Sequence, residues 1–146
     1  MAFSDRELLA RLIQCEAGGE GDNGMRAVAS VIMNRVHAPG GEYARLGQGS
    51  IRNVIMQPGQ FTCAMEYVGG VPNRQNIYNM NPEQIHYDIA DWAIAGNRLS
   101  PLGNALWFYN PFSSACRQNF PNQNGVLITS IGKHCFYNPT DSYYQT

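Results

Sequence analysis

Glu16 lies on the apolar face of the first helix this chain can form. Over residues 5–17, Leu8, Leu12 and Glu16 recur four apart, and Leu9 and Ile13 continue the same stripe. Gly18-Gly19 then ends the helix. The carboxyl group therefore projects from a helix end, with leucines beneath it and a glycine-rich gap in front. Burial disfavours an ionised carboxylate and raises its pKa. A carboxylic acid still protonated near neutral pH is what general-acid cleavage of a glycosidic bond requires. The same spacing also fits a carboxylate that only caps a helix end or pairs with an arginine.

Glu20 follows four residues later, across the Gly-Gly break. Two carboxylates would suit a paired glycosidase mechanism. A second helix starts within a few residues, however, and its dipole favours negative charge there, so Glu20 is read first as framing that helix and only then as supporting Glu16. Asp88 and Asp91 fall on a long helix and are expected to face solvent. A single well-placed acid is nonetheless sufficient for one chemistry. It protonates the leaving oxygen, then removes a proton from a substrate hydroxyl, and an internal anhydro ring closes.

Other residues are suited to holding a substrate. Gln60-Phe61 follows the Pro58-Gly59 turn, which presents an amide and a ring at a cleft edge or else buries Phe61. Trp107, Phe108 and Tyr109 alternate, so Trp107 and Tyr109 share one face of a strand and Phe108 takes the other. One face packs the core, leaving the other to stack on sugar rings. Gln60, Tyr109 and Asn110 are the candidates for positioning, and Phe61 and Trp107 for stacking or wall packing. His134, beside Lys133, would bond a substrate carboxylate or amide, or serve structurally. A thiol-peptidase site built from Cys63 or Cys15 with His134 and an asparagine is a further reading, but nothing local activates either thiol.

The elements that must position these groups follow from the same periodicities. A second helix is expected after an Asp22 or Asn23 cap and runs to Val36, with Met25, Val28, Ile32 and Val36 as its stripe. Residues 39–50 read as loop, and residues 51–56 as a short helix stopped by Pro58-Gly59. A long helix is predicted from Asn81-Pro82 to Ala95, with Ile85, Ile89, Trp92 and Ala93 inward. Residues 105–110 and 126–131 read as strands, with residues 134–137 extending or following the second. The fold class is α+β: a mostly helical body with a small antiparallel sheet near the C-terminus. No repeat or linker divides the 146 residues, and one catalytic domain over residues 1–146 is expected.

Composition narrows the partners. Charged residues make up 14% of the chain against an average of about 25%, and amides, glycines and tyrosines supply much of the polarity. That balance suits a neutral, hydroxyl-rich ligand such as a glycan. With net charge −1 and a single lysine, no basic stripe exists, so nucleic acid and acidic membrane surfaces are not expected partners. No run approaches a membrane span, and the N-terminus lacks the pattern of a secretory signal, so export by that route is not expected. Cys15, Cys63, Cys116 and Cys135 form no C-x-x-C pair, and neither an H-E-x-x-H motif nor a phosphate-binding glycine loop is present. No metal or other cofactor is therefore expected. The four cysteines allow three pairings, and buried free thiols are equally compatible with the sequence.

Several blocks occur together in a familiar order. Residues 8–21 (LLARLIQCEAGGEG), 28–36 (VASVIMNRV), 54–61 (VIMQPGQF), 105–111 (ALWFYNP) and 131–137 (IGKHCFY) resemble the signature blocks of the spore cortex-lytic cell-wall hydrolases, the SleB/CwlJ family. The resemblance spans nearly the whole chain. It implies a lysozyme-like α+β fold, cleavage of the muramic acid to glucosamine β-1,4 linkage in cortex peptidoglycan, and Glu16 as catalytic acid. A muramidase-type hydrolase and a lytic transglycosylase are both compatible with it, as is a non-catalytic glycan-binding or coat-structural protein of the same fold. The lack of a signal peptide and of a separate peptidoglycan-binding domain makes the chain resemble the CwlJ branch. That branch implies a place at the boundary of spore coat and cortex, a spore-coat protein partner and a role in germination. Cys116 and Cys135 fall where cysteines occur in that branch, which favours their pairing.

Overall fold

A computed structural model describes residues 3–113 and 115–146. Five α-helices form the body: α1 (Asp5–Ala17), α2 (Gly21–Val36), α3 (Gly41–Gly47), α4 (Ile51–Met56) and α5 (Gln84–Ile94). A two-residue hairpin, β1 (Tyr67–Val68) and β2 (Val71–Pro72), turns through Gly69-Gly70. The C-terminal sheet has the order β3 (Trp107–Tyr109), β5 (His134–Pro139), β4 (Gly125–Ile131), antiparallel throughout. The expected α+β class is the observed one.

Helix α1 begins at Ser4, whose hydroxyl accepts a hydrogen bond from the Glu7 amide at 3.1 Å. Its stripe of Leu8, Leu9, Leu12 and Ile13 is fully buried against α2, α4 and α5. Helix α2 starts at Gly21, earlier than the expected Asp22 or Asn23 cap. Asp22 instead sits in the first turn and pairs with Arg26 at 2.6 Å, one turn on. Glu20 occupies the cap position, but its side chain does not cap the helix, which frees the carboxylate for a contact elsewhere.

Two further expectations are corrected. Residues 39–50 are not all loop, because α3 forms there around buried Tyr43. The cause is non-local: the Tyr43 amide donates to the Tyr143 hydroxyl at 3.0 Å, and that hydroxyl donates to Gly40 O at 3.0 Å. Helix α5 starts at Gln84 rather than near Pro82, since the Glu83 amide is taken up by His86 Nδ1 at 2.9 Å. Its buried face is His86, Ile89, Ala90 and Ala93, so Ile85 lies outside it and is exposed. Asp88 and Asp91 are exposed as expected.

In the sheet, Trp107 pairs with Tyr137, Phe108 with Phe136 and Tyr109 with Cys135. The alternation along β3 thus divides two environments. Trp107 joins an aromatic cluster with Tyr43, Tyr137 and Tyr143, while Phe108 packs towards Phe61, His134 and Phe136. Two disulfides close the fold, Cys15–Cys63 between α1 and the turn after α4, and Cys116–Cys135 between a loop and β5. Both sulfurs required by the thiol-peptidase reading are consumed in the first of these.

Candidate active site

Glu16 occupies the last turn of α1, half-buried at the floor of a cavity of about 320 Å³. Arg35, Gln60, Phe61, Phe108 and His134 form much of its wall. Desolvation by these neighbours raises the Glu16 carboxyl from the ordinary 4.5 to about 7. The nearby Glu20 carboxylate pushes in the same direction, while the Arg35 guanidinium opposes both. The acid at the end of the leucine stripe is therefore substantially protonated at neutral pH.

Glu20 and His134 form a unit beside it. His134 Nδ1 lies 2.7 Å from Glu20 Oε2, and Glu20 Oε1 accepts from the Lys133 amide at 3.1 Å. Both side chains are about nine-tenths buried. The contact ties the α1–α2 junction to the tight turn between β4 and β5. Gly132 makes that turn possible: its φ is +58°, and a Cβ there would stand 2.8 Å from Glu20 Oε1. With Nδ1 held by Glu20, the imidazole also packs edge-on against Phe108 at 5.1 Å. Glu20 is thus neither a helix cap nor free in the cavity.

The remaining candidates separate by burial. Phe61 and Trp107 are only 3% and 5% exposed, so both are wall residues and neither offers a face for stacking. The Trp107 indole donates to the Tyr43 hydroxyl at 3.0 Å, and that hydroxyl donates to Gln60 Oε1 at 2.8 Å. Gln60 is consequently held in place at the cavity wall. Tyr109 stacks on Phe120, centroids 4.5 Å apart, and its hydroxyl accepts from the Arg117 amide. Asn110 spends its side-chain oxygen on the Phe112 amide at 2.7 Å.

Arg35, Thr62, Phe108 and Phe112 also line the cavity and were not singled out from the sequence. Arg35 is 4% exposed, donates through Nε to Leu106 O at 2.7 Å, and lies over the rings of Tyr43 and Phe61. One of its terminal nitrogens is buried without a hydrogen-bond partner among the described residues. Its signal was present: Arg35 sits three, four and seven residues beyond Ile32, Val31 and Val28, a charge on an apolar face just as Glu16 is. Phe108 supplies the inward face of β3. Phe112 stands at the cavity mouth and has no periodic signal in the sequence.

The Glu16 cavity shares lining residues with two neighbours. Arg35, Gln60 and Phe108 are shared with a neighbouring cavity of about 380 Å³, lined further by Glu42, Tyr43 and Trp107. Asn110 and Phe112 are shared with another of about 400 Å³, which reaches Lys133. Through these shared residues the Glu16 cavity lies between the other two. Among the described residues, no group of three or more His, Cys, Asp or Glu side chains is placed to hold a metal ion.

Residues 19–137 match the cell wall hydrolase family. This chain belongs to that family. It is 33% identical to the cell wall hydrolase CwlJ of Oceanobacillus iheyensis, over 92% of this chain and 86% of that protein. Against CwlJ of Bacillus subtilis the identity is 30%, over 94% and 87%. The fold superposes on the catalytic domain of the germination-specific lytic transglycosylase SleB from Bacillus anthracis with a TM-score of 0.66, at 27% identity, covering 94% of this chain and 97% of that domain.

The two charges flanking the acid make a paired prediction. Glu20→Gln retains the hydrogen-bonding shape but removes a negative charge, so the Glu16 pKa falls and the alkaline limb of the pH–rate profile moves to lower pH. Arg35→Met removes the opposing positive charge and moves that limb to higher pH. Rate profiles of the two variants from pH 5 to 9 check the signs. Shifts in the same direction would remove these charges from the control of Glu16.

Proposed function

We propose that this chain cleaves the glycan strands of spore-cortex peptidoglycan at the muramic acid to glucosamine β-1,4 bond, with residues 1–146 acting as one catalytic domain. The observation that carries the reading is a half-buried carboxyl, its pKa raised to about 7, in a cavity that shares lining residues with a neighbour on either side. A normal carboxylate in an aromatic cleft would have favoured a non-catalytic binding or coat-structural protein instead.

Protonated Glu16 gives its proton to the glycosidic oxygen as the bond to the muramyl C1 breaks. The resulting Glu16 carboxylate takes the proton of the muramyl C6 hydroxyl, whose oxygen bonds to C1 and closes a 1,6-anhydro ring. The proton count balances, Glu16 regains its acid form, and no water enters. Glu20 is held by His134 and Lys133, which supports a one-carboxylate mechanism over a paired one. Gln60, Asn110 and His134 orient the sugars from the walls, Trp107 and Phe61 support those walls, and Tyr109 braces the β3 end.

The reading extends to a place at the coat–cortex boundary and a spore-coat protein partner, and the similarity to the spore cortex-lytic enzyme of Bacillus subtilis supports its cortex part. Among the described residues no helix is long and apolar enough to cross a membrane. The test is mass spectrometry of lactam-containing cortex digested by the parent and by Glu16→Gln. Anhydro-muramic ends made only by the parent are expected. Reducing ends would make the enzyme a hydrolase, and no products from either would favour the binding-protein reading.

A further inference from the structure

Phe112 is the outlier among the aromatic side chains. Its exposure is 91%, in a chain whose other rings near the groove are packed into its walls. Its backbone has φ +54°, the left-handed region, which a bulky side chain enters only against steric resistance. Two neighbours hold it there: Pro111 fixes the preceding backbone, and Asn110 Oδ1 accepts from the Phe112 amide at 2.7 Å. A strained residue displaying an apolar ring to water gives the fold nothing in packing. Such strain persists where the displayed group does something else.

The location says what that is. Phe112 lines both the Glu16 cavity and the next one, whose other lining residues are Asn110, Ser113, Gly132 and Lys133. A pyranose has an apolar face of C–H bonds and a rim of hydroxyl and acyl groups. An exposed ring matches the face, and Asn110, Ser113 and Lys133 offer polar partners for the rim. We infer that Phe112 is the stacking platform for the sugar bound on the Lys133 side of the scissile bond, and that Asn110 is its positioning residue. This rests on the glycan-cleaving reading of the groove and adds a site to it. The assignment replaces Trp107 and Phe61, whose rings are covered.

Phe112 can be separated from a structural residue because strain and binding oppose each other. Calorimetric titration of muramyl-glucosamine oligosaccharides is done in the Glu16→Gln background, where the ligand stays uncleaved, together with thermal melts. Phe112→Gly relieves the positive φ and buries nothing less, so its Tm is expected to equal or exceed that of Glu16→Gln by about 2 °C. Its affinity, like that of Phe112→Ala, is expected to fall about tenfold. Phe112→Trp is expected to bind like the background protein. In otherwise unaltered enzyme, Phe112→Ala is expected to raise KM about tenfold with kcat within about twofold. Unchanged affinity in Phe112→Ala, or a Tm loss of several degrees in Phe112→Gly, would overturn the platform while leaving the glycan reading intact. Failure of the Glu16→Gln background itself to bind the oligosaccharides would overturn both.

Discussion

Glu16→Gln is expected to lower turnover on peptidoglycan glycan by about a thousandfold or more while leaving the fold intact. General acid–base assistance typically contributes about 10²- to 10⁴-fold, and here one group supplies both the acid and the base step. The amide keeps the shape of the protonated carboxyl but neither gives up nor recovers a proton. In the parent, kcat/KM is expected to decline about tenfold per pH unit above about 7, as the acid form is lost.

Stability carries the same signature with a definite sign. Burial raises the native-state Glu16 pKa from 4.5 to about 7. Between those values the folded chain keeps a proton that the unfolded chain has released, so stability falls as pH rises across that window. Below pH 4.5 both states are protonated, and the full stability is present. The parent should therefore lose up to about 3 kcal/mol between pH 4.5 and 8 through this group, at about 1.4 kcal/mol per pH unit of displacement. Glu16→Gln has no such loss and should melt above the parent at pH 8 while matching it near pH 4. Activity in Glu16→Gln within tenfold of the parent would remove Glu16 from the chemistry. Superimposable pH–stability curves would show that its carboxyl titrates as in water.

Severing Cys15–Cys63 is expected to produce the largest stability change of any local edit. The bridge spans 48 residues of sequence, and closing a loop of that length in the unfolded chain corresponds to about 4 kcal/mol. Cys116–Cys135 spans 19 and corresponds to about 3 kcal/mol. A Cys15→Ala/Cys63→Ala protein should melt about 10 °C lower than the parent. The functional cost should exceed the thermodynamic one, because Cys15 precedes Glu16 and Cys63 follows the turn that places Gln60 and Phe61. Loosening that tie displaces the acid relative to the groove wall, and small displacements of a catalytic group reduce rates steeply. Calorimetry with and without a reductant, alongside assays well below the melting range, checks both. A change in Tm under 3 °C would mean that packing alone holds the two segments.

What the sequence made legible was local. Glu16, the α1 stripe and the alternation along Trp107-Phe108-Tyr109 follow from periodicities of 3.6 and 2, and the structure keeps each of them. What remained illegible was set by partners far along the chain. Helix α3 exists because Tyr143, 100 residues away, receives the Tyr43 amide. Glu20 looked like a helix-start residue until His134, brought in by the β4–β5 turn, claimed its carboxylate. Alternation divided the faces of β3 correctly but gave no sign of which was wet, so it left Trp107 open to stacking or wall packing, and the structure covers it. Arg35 carried a usable signal, since one charge on an apolar stripe had already marked Glu16. Phe112 carried none, because a turn conformation leaves no period.

The bond between Glu20 and His134 joins residue 20 to the last strand of the sheet. Helix α1, with its acid, comes early in synthesis, yet the groove that desolvates this acid needs Phe108 and His134, which come late. A nascent chain therefore carries Glu16 as an ordinary, ionised carboxylate until its final quarter docks. The surroundings that raise the pKa of this acid are therefore complete only when the last strands have joined the helical body.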